Sequence, residues 1–357
     1  MKRFQRFRQR MQRNWKKLLM RYLQPGKLRI LPDTLTIELT NRCTLACSCC
    51  PNGCDREHCR PQHTLTLNDF LQLLGQIDIP FKKVFLHLHG EPFLAKDLPQ
   101  IIALLIGRGV EEFSIFSNAY HIDLSLLEQL LTMSDRCKLN IAFSAELYDA
   151  ATYESIRCPG KFADVWQSLE QIDTIMERHQ CNYSVNAIIN AQAIDTLKDC
   201  VPSIFARLQR LNSLHLSSAF PWPHLPETGD IAGHLRLHRR ICNQIWELPT
   251  ILSSGEVTMC CSDYRGECIV GSLYDHTFSE LMNNCEARRF RRNIALRKAE
   301  CNTICRDCLI DRHIDFSRVV RRRFIERAKS AVIEKYFAHF HKYFVIDKEM
   351  GSGSKQK

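Results

Sequence analysis

Residues 37–50 read IELTNRCTLACSCC. The apolar run 35–39 has the character of a buried strand, and it breaks at Thr40-Asn41-Arg42 into a loop that carries Cys43, Cys47, Cys49 and Cys50. Three of these thiols, Cys43, Cys47 and Cys50, follow the spacing C-x3-C-x2-C. Three thiolates on one tight loop can hold three irons of a 4Fe-4S cube and leave the fourth without a protein ligand, whereas proteins that only pass electrons normally supply four cysteines. A missing fourth ligand implies a small molecule that chelates iron. Zinc is the competing reading of the loop, because Cys54, His58 and Cys59 follow closely. A third reading, thiols buried as small hydrophobes, fits poorly with four cysteines in eight residues of a polar loop. Cys49, between two of the proposed ligands, has no assigned role.

This spacing just after a first strand resembles the signature of the radical S-adenosylmethionine (radical SAM) superfamily. The resemblance implies a partial (β/α) barrel, with the open iron chelated by the amino and carboxylate groups of S-adenosylmethionine (SAM).

At 357 residues and 45% apolar, the chain is long enough for one large core and a second small domain. Eighteen cysteines without a secretory signal point to metal-bound thiolates in a reducing cytoplasm rather than to a disulfide scaffold. No run of about 18 apolar residues marks a membrane span. The net charge of +10 is concentrated: residues 1–27 hold ten Lys or Arg and no acid, so the remainder is near neutral and no nucleic-acid partner is expected of the core. In that segment Phe4, Phe7, Met11, Trp15, Leu18 or Leu19, and Tyr22 recur at helical steps. This is either a helix packed on its own barrel with a solvated basic face, or a contact for an anionic membrane or an acidic partner.

From residue 31 onward, strand-like and helix-like patterns alternate, as in an α/β fold built from βα units. Candidate strands are 35–39, 83–89, 113–117, 138–144, 183–189 and 213–217; candidate helices lie near 66–76, 97–108, 124–133, 161–178 and 193–210. Six strands predict a partial (β/α)6 TIM-like barrel over 31–225, with chemistry at the C-terminal strand ends. Gly90-Glu91-Pro92 follows the second strand, and the resemblance implies that it takes hydrogen bonds from the SAM amino group. The family's commonest form has glycine where this chain has His89. Ser117-Asn118-Ala119 stands where relatives commonly have Thr-Asn-Gly. Ser144-Ala145-Glu146-Leu147, then 152–157 (TYESIR), resembles the family's Ser-x-Asp-Gly segment and following helix, with Glu146 for Asp. Asn118, Ser144 and Asn186, and also Asn190, are therefore candidate SAM contacts.

A proline-rich linker, 220–226, precedes a second group of cysteines. Cys242 and Cys260 follow C-x12-G-x4-C with a hairpin-like turn at Ser254-Gly255, and Cys305 and Cys308 form C-x2-C. Two distant pairs of thiolates can enclose a cluster or a zinc ion. Their order resembles the SPASM or shortened twitch extension of radical SAM enzymes. That implies a small cysteine-rich domain over 226–315 with one auxiliary 4Fe-4S cluster on Cys242, Cys260, Cys305 and Cys308, Cys301 being the rival ligand. Residues 316–350 read as a basic C-terminal helix, and 351–357 as a flexible tail.

The expected activity is reductive cleavage of SAM to a 5'-deoxyadenosyl radical, with flavodoxin or ferredoxin as electron donor, and hydrogen abstraction from a substrate carbon. The outcome is oxidation, by dehydrogenation or cross-linking, or epimerisation with Cys261 or Cys268 as hydrogen donor. Because the first strand begins near residue 33, leaving no room for a peptide-recognition domain of ordinary size, the expected substrate is a small metabolite. The alternatives are a peptide- or protein-modifying maturase and a non-catalytic iron-sulfur or zinc electron-transfer module. The expected location is the cytoplasm, with peripheral membrane contact through residues 1–30 open.

Overall fold

Leu35, Ile37 and Leu39 are almost fully buried and join a core that includes Phe70 and Leu73, whereas Thr36 and Glu38 alternate to the opposite face of the strand. The computed structural model describes residues 26, 28, 32–188, 193–217, 222–225, 242, 244–296, 298, 301–306, 308 and 344–347. Six parallel strands form the frame: β1 (Thr34–Ile37), β2 (Lys83–Phe85), β3 (Glu112–Ser117), β4 (Lys138–Ser144), β5 (Tyr183–Ile188) and β6 (Leu211–Ser217). Helices alternate with them: α1 (Leu67–Gln76), α2 (Leu98–Gly107), α3 (Leu124–Leu131), α4 (Ala150–Ile156), α5 (Phe162–Arg178) and α6 (Ala193–Arg207). Their starts follow local chemistry. Thr66 and Asp69 form a capping box on α1, and Asp123 and Asp149 cap α3 and α4. These elements match the sequence periods closely, except that β2 ends at Phe85, four residues short of the expected end.

On β5, Tyr183, Val185 and Ala187 are buried while Ser184, Asn186 and Ile188 are half-buried, so one face is packed and the other only partly covered. The register places Ser144 beside Asn186 and Asn186 beside His215, a polar row near the C-terminal ends of three neighbouring strands.

The second cysteine-bearing segment extends this same sheet. β7 (Thr250–Ile251) pairs in parallel with β1, and β8 (Glu256–Thr258) and β9 (Ile269–Ser272) continue it antiparallel. With a last strand, β10 (Phe344–Asp347), the full order is β10-β6-β5-β4-β3-β2-β1-β7-β8-β9. Backbone bonds from Thr36 to Pro249 and from Glu38 to Ile251, 3.0 and 2.8 Å, fasten the two parts together.

The far edge corrects the expectation of a C-terminal helix. Most of residues 316–350 lie outside the described residues, but Phe344–Asp347 is a strand, β10, antiparallel to β6. The aromatic and β-branched run Phe-Val-Ile suits a strand, and β6 would otherwise leave its backbone groups unpaired. The predicted N-terminal helix also lies outside the described residues. Among the described residues no helix is long and apolar enough to cross a membrane.

Candidate metal centres and cofactor loops

The loop after β1 is stitched at its base. Thr40 donates to the His63 carbonyl at 3.0 Å, the Asn41 side chain donates to Pro61 at 2.8 Å and accepts from His63 N–H at 2.7 Å, and Leu65 N–H returns to the Leu39 carbonyl. Between these anchors the cysteines lean on the end of α4, Ala46 N–H donating to Cys158 and Ser48 N–H to Ile156. Gly53, in a short helical turn over Pro51–Cys54, lies so close to the loop that a methyl group there would overlap the backbone of Ala46 and Cys47.

Cys43, Cys47 and Cys50 are brought together. Burial pushes the Cys43 thiol up to about 11, and raises Cys47 and Cys50 as well; at Cys50 the neighbouring Cys47, Cys49 and Cys43 push in the same direction. Such thiols ionise together only when a cation compensates them. A zinc ion, with sulfurs about 2.3 Å away, would draw three thiolates within about 4 Å of one another. Among the described residues the group of three His, Cys or carboxylate donors within 4.8 Å of one another is Asp55, Glu57 and His58, not any set of cysteines. Three thiols on one loop fit a cluster with one iron left open. Cys54 and Cys59 instead bond the backbone, at the Cys50 and Asp55 carbonyls, and His58 bonds Asp55.

Gly90-Glu91-Pro92 packs directly on this loop. A methyl group on Gly90 would overlap the carbonyls of Thr40 and Arg42, and Glu91 N–H donates to Arg42 at 2.8 Å. The buried Glu91 carboxylate accepts from Phe93 N–H at 3.2 Å and Asn118 N–H at 2.8 Å; burial nevertheless raises its carboxyl to about 7. Its observed work is to join the ends of β2 and β3. The Asn118 amide turns towards the thiols, donating to Cys43 Sγ and Thr44 Oγ1. Ser144 and Asn186 are half-buried neighbours whose side chains make no hydrogen bond among the described residues, which leaves both open to a ligand. Asn190 lies outside the described residues.

Two buried ion pairs were not read from the sequence. Arg60 makes a two-pronged contact with Glu38 at 3.0 and 2.8 Å, His89 Nδ1 lies 3.1 Å from the same carboxylate, and Ser253 donates to it from backbone and hydroxyl. Burial pushes the Glu38 carboxyl up, but the His89 bond and the Arg60 charge outweigh it and hold it well below the usual range. His89, the departure from glycine, is therefore wired into a strut joining β1, the cluster loop and the β7–β8 turn. Its ring also packs against Trp222 and Tyr264. The second pair is Arg157 with Glu146, again two-pronged at 2.9 and 2.8 Å. The signal was present as a carboxylate at the end of an apolar strand, but the partners are 11 to 215 residues away.

The second group gathers Cys242, Cys260, Cys261, Cys268, Cys305 and Cys308. Burial pushes the Cys260 thiol well up, helped by Cys261, Cys268 and Cys242; Cys308 acts likewise on Cys261, and Cys305 on Cys268. Cys261 donates to Gln244 at 3.5 Å, whereas Cys268 is buried beside Asp263, which accepts from its N–H at 2.8 Å. The two expected hydrogen donors thus lie among the auxiliary thiols. Cys301 is exposed. The groups are linked: Asp55 of the first loop accepts from Tyr264 Oη at 2.6 Å and Arg265 at 2.7 Å.

Comparison with known proteins agrees with this arrangement. The model of the radical SAM superfamily matches residues 37–198, and that of the SPASM iron-sulfur cluster-binding domain matches 242–309. The GTP 3',8-cyclase of Desulforamulus reducens is 25% identical over 187 residues, 51% of this chain and 53% of its own length. The chain thus spans about half the length of this curated relative. SuiB of Streptococcus suis bound to S-adenosylmethionine superposes with a TM-score of 0.57 at 13% identity, over 78% of this chain and 72% of SuiB. BtrN in complex with AdoMet and 2-DOIA gives 0.50 at 15% identity, over 78% of this chain and 93% of BtrN. At these identities the likeness is one of fold.

Proposed function

Since this chain belongs to the radical SAM superfamily and carries a SPASM iron-sulfur domain, we propose that it uses SAM to abstract a hydrogen atom from a small biosynthetic metabolite, oxidising or epimerising it. Domains of these two kinds take SAM, a 4Fe-4S cluster and auxiliary iron-sulfur. The observation that carries the reading is the clamp of Gly90-Glu91 on the Cys43, Cys47 and Cys50 loop.

Cys43, Cys47 and Cys50 would hold the SAM-binding cluster, and Cys242, Cys260, Cys305 and Cys308 one auxiliary cluster. When bound, cluster and SAM together supply a one-electron cleavage to methionine and a 5'-deoxyadenosyl radical, with flavodoxin or ferredoxin as reductant. The protein's part is positioning. Asn118 orients the Cys43 sulfur, Gly90 allows the backbone to approach the loop, and Ser144 and Asn186 offer hydrogen bonds at the strand ends. Trp222, His89 and Tyr264 pack on one another beside the Glu38 ion pair and stiffen that side of the site. That BtrN, of the same fold, is known in complex with AdoMet and 2-DOIA supports a small-molecule ligand here. For epimerisation, half-buried Cys261 is preferred to buried Cys268 as hydrogen donor.

The second reading is a peptide substrate, because SuiB, of the same fold, is also known bound to the precursor peptide SuiA. The test is anaerobic reconstitution with iron and sulfide, dithionite reduction, addition of SAM and chromatography for 5'-deoxyadenosine, beside a Cys43→Ala/Cys47→Ala/Cys50→Ala control. Cysteine-dependent formation supports the reading. No formation by protein with full iron and sulfide content, with or without a metabolite pool, returns it to an electron-transfer module.

A further inference from the structure

The chain leaves α4 against the three-cysteine loop, and two backbone bonds fix the approach. Ala46 N–H donates to the Cys158 carbonyl at 2.6 Å, and Ser48 N–H to the Ile156 carbonyl at 2.9 Å. These bonds straddle Cys47 on one segment and Arg157 on the other. Arg157 closes α4, its N–H returning to the Tyr153 carbonyl at 2.7 Å, and its side chain is only 12% exposed. Nε and Nη2 donate to the Glu146 carboxylate, which is fully buried and is itself fixed to β5 by the Ile188 N–H at 3.1 Å. The guanidinium also hydrogen-bonds Cys47. Burial raises both the Cys47 and Cys49 thiols, and the Arg157 charge acts against that rise in each.

A buried ion pair is weak evidence for stability, since well-packed apolar residues of similar volume often serve the fold as well. Its geometry is more telling. The Arg60 and Glu38 pair joins β1 to His89 and Ser253. The Arg157 and Glu146 pair instead holds a cationic donor against one of the three candidate cluster ligands, on the side of the loop away from Asn118 and Cys43 in the chain.

We propose that Arg157 is a positioning residue for the cluster held by Cys43, Cys47 and Cys50: it donates to the Cys47 sulfur and favours the reduced state of a cluster bound there, while Glu146 orients the guanidinium and offsets its charge. The inference rests on the function proposed above, since it needs a cluster on this loop. A donor to a ligand sulfur and a nearby positive charge favour the reduced cluster, whereas a nearby carboxylate disfavours it. Losing the carboxylate and losing the donor therefore move the potential in opposite directions. A pair that only braces the fold would not do so.

The experiment is redox titration of the cluster-loaded protein followed by electron paramagnetic resonance, reading the signal that changes when SAM is added. Glu146→Gln is expected to raise the potential. Glu146→Met/Arg157→Met, which replaces both ions by apolar side chains and leaves neither unpaired, is expected to lower it. Each shift is expected to be about tenfold in the one-electron reduction equilibrium, or about 59 mV. Arg157→Lys, which keeps the charge and loses the two-pronged contact, is expected to fall between wild type and the double variant. The control Glu154→Gln removes a carboxylate of the same helix that is 40% exposed and paired with Lys161 at 3.1 Å, and its potential is expected to match wild type. Iron content and Tm show that the variants are folded and loaded. Unmoved potentials, or shifts of the same sign in Glu146→Gln and in the double variant, overturn this inference and leave the proposed function standing. A wild type that assembles no SAM-responsive cluster overturns both.

Discussion

The side-chain amide of Asn118 lies 3.5 Å from Cys43 Sγ, while its own Oδ1 accepts from Tyr120 N–H at 2.8 Å and its backbone N–H is held by Glu91. A residue expected to touch SAM is thus fixed from three sides so that its N–H meets a candidate cluster ligand. Such a bond withdraws charge from the sulfur and raises the potential of a cluster bound there. In Asn118→Leu, the SAM-binding cluster is expected to become harder to reduce, with 5'-deoxyadenosine formation down about tenfold, the scale of one hydrogen bond to a charged group. Redox titration followed by electron paramagnetic resonance checks this; an unchanged potential with full iron content would refute it.

Gly90→Ala places a methyl group into the carbonyls of Thr40 and Arg42. A backbone cannot yield as a side chain tip does, so a loss of about 3 kcal/mol is expected, together with poor cluster assembly. Thermal unfolding and iron analysis read the two effects. A variant that unfolds and loads iron like the wild type shows that the two loops are not clamped.

Glu38→Ala leaves Arg60 buried opposite nothing. The expected cost is about 3–5 kcal/mol, larger than for a surface pair, because Glu38 is fully buried and also accepts from Ser253. Lys83→Ala, which breaks a half-exposed pair with Glu112, is expected to cost about 1 kcal/mol or less. Chemical denaturation of both variants gives the comparison, and similar losses would remove the strut from the account.

His87 stacks on Phe116 with ring centroids 4.0 Å apart. Burial lowers its imidazole from 6.5 to about 4, against the pull of the Ser114 carbonyl. The folded state then binds fewer protons than the unfolded state between these values. Stability is expected to be fully present above pH 6.5 and to fall as pH drops towards 4, by at most about 3 kcal/mol. His87→Phe should flatten that part of the stability profile; an unaltered slope would assign it to other groups.

The barrel was legible because its signal is local. Alternation in 138–144 and 183–188, the Thr66 and Asp69 capping box and the three-cysteine spacing each lie within a few residues, so backbone sterics and nearest-neighbour burial suffice to read them. Phe344 to Asp347 is a strand that the sequence hides, because the arginine and aromatic residues before it set a helical period and the open edge of β6 that receives it is 128 residues away by the pairing of Phe344 with Leu216.

Sequence by itself determined the chemistry on offer: three thiols on one loop, a second set of thiols, a Gly-Glu turn between them, and a strongly basic first segment. Only tertiary structure decided what each group faces. It joined the auxiliary hairpin to β1, set the Asn118 amide against Cys43, and tied His89 to Glu38 and Arg60. The reason is physical: side-chain type and spacing are properties of the local chain, whereas burial, pairing and pKa depend on atoms that folding brings from far along it.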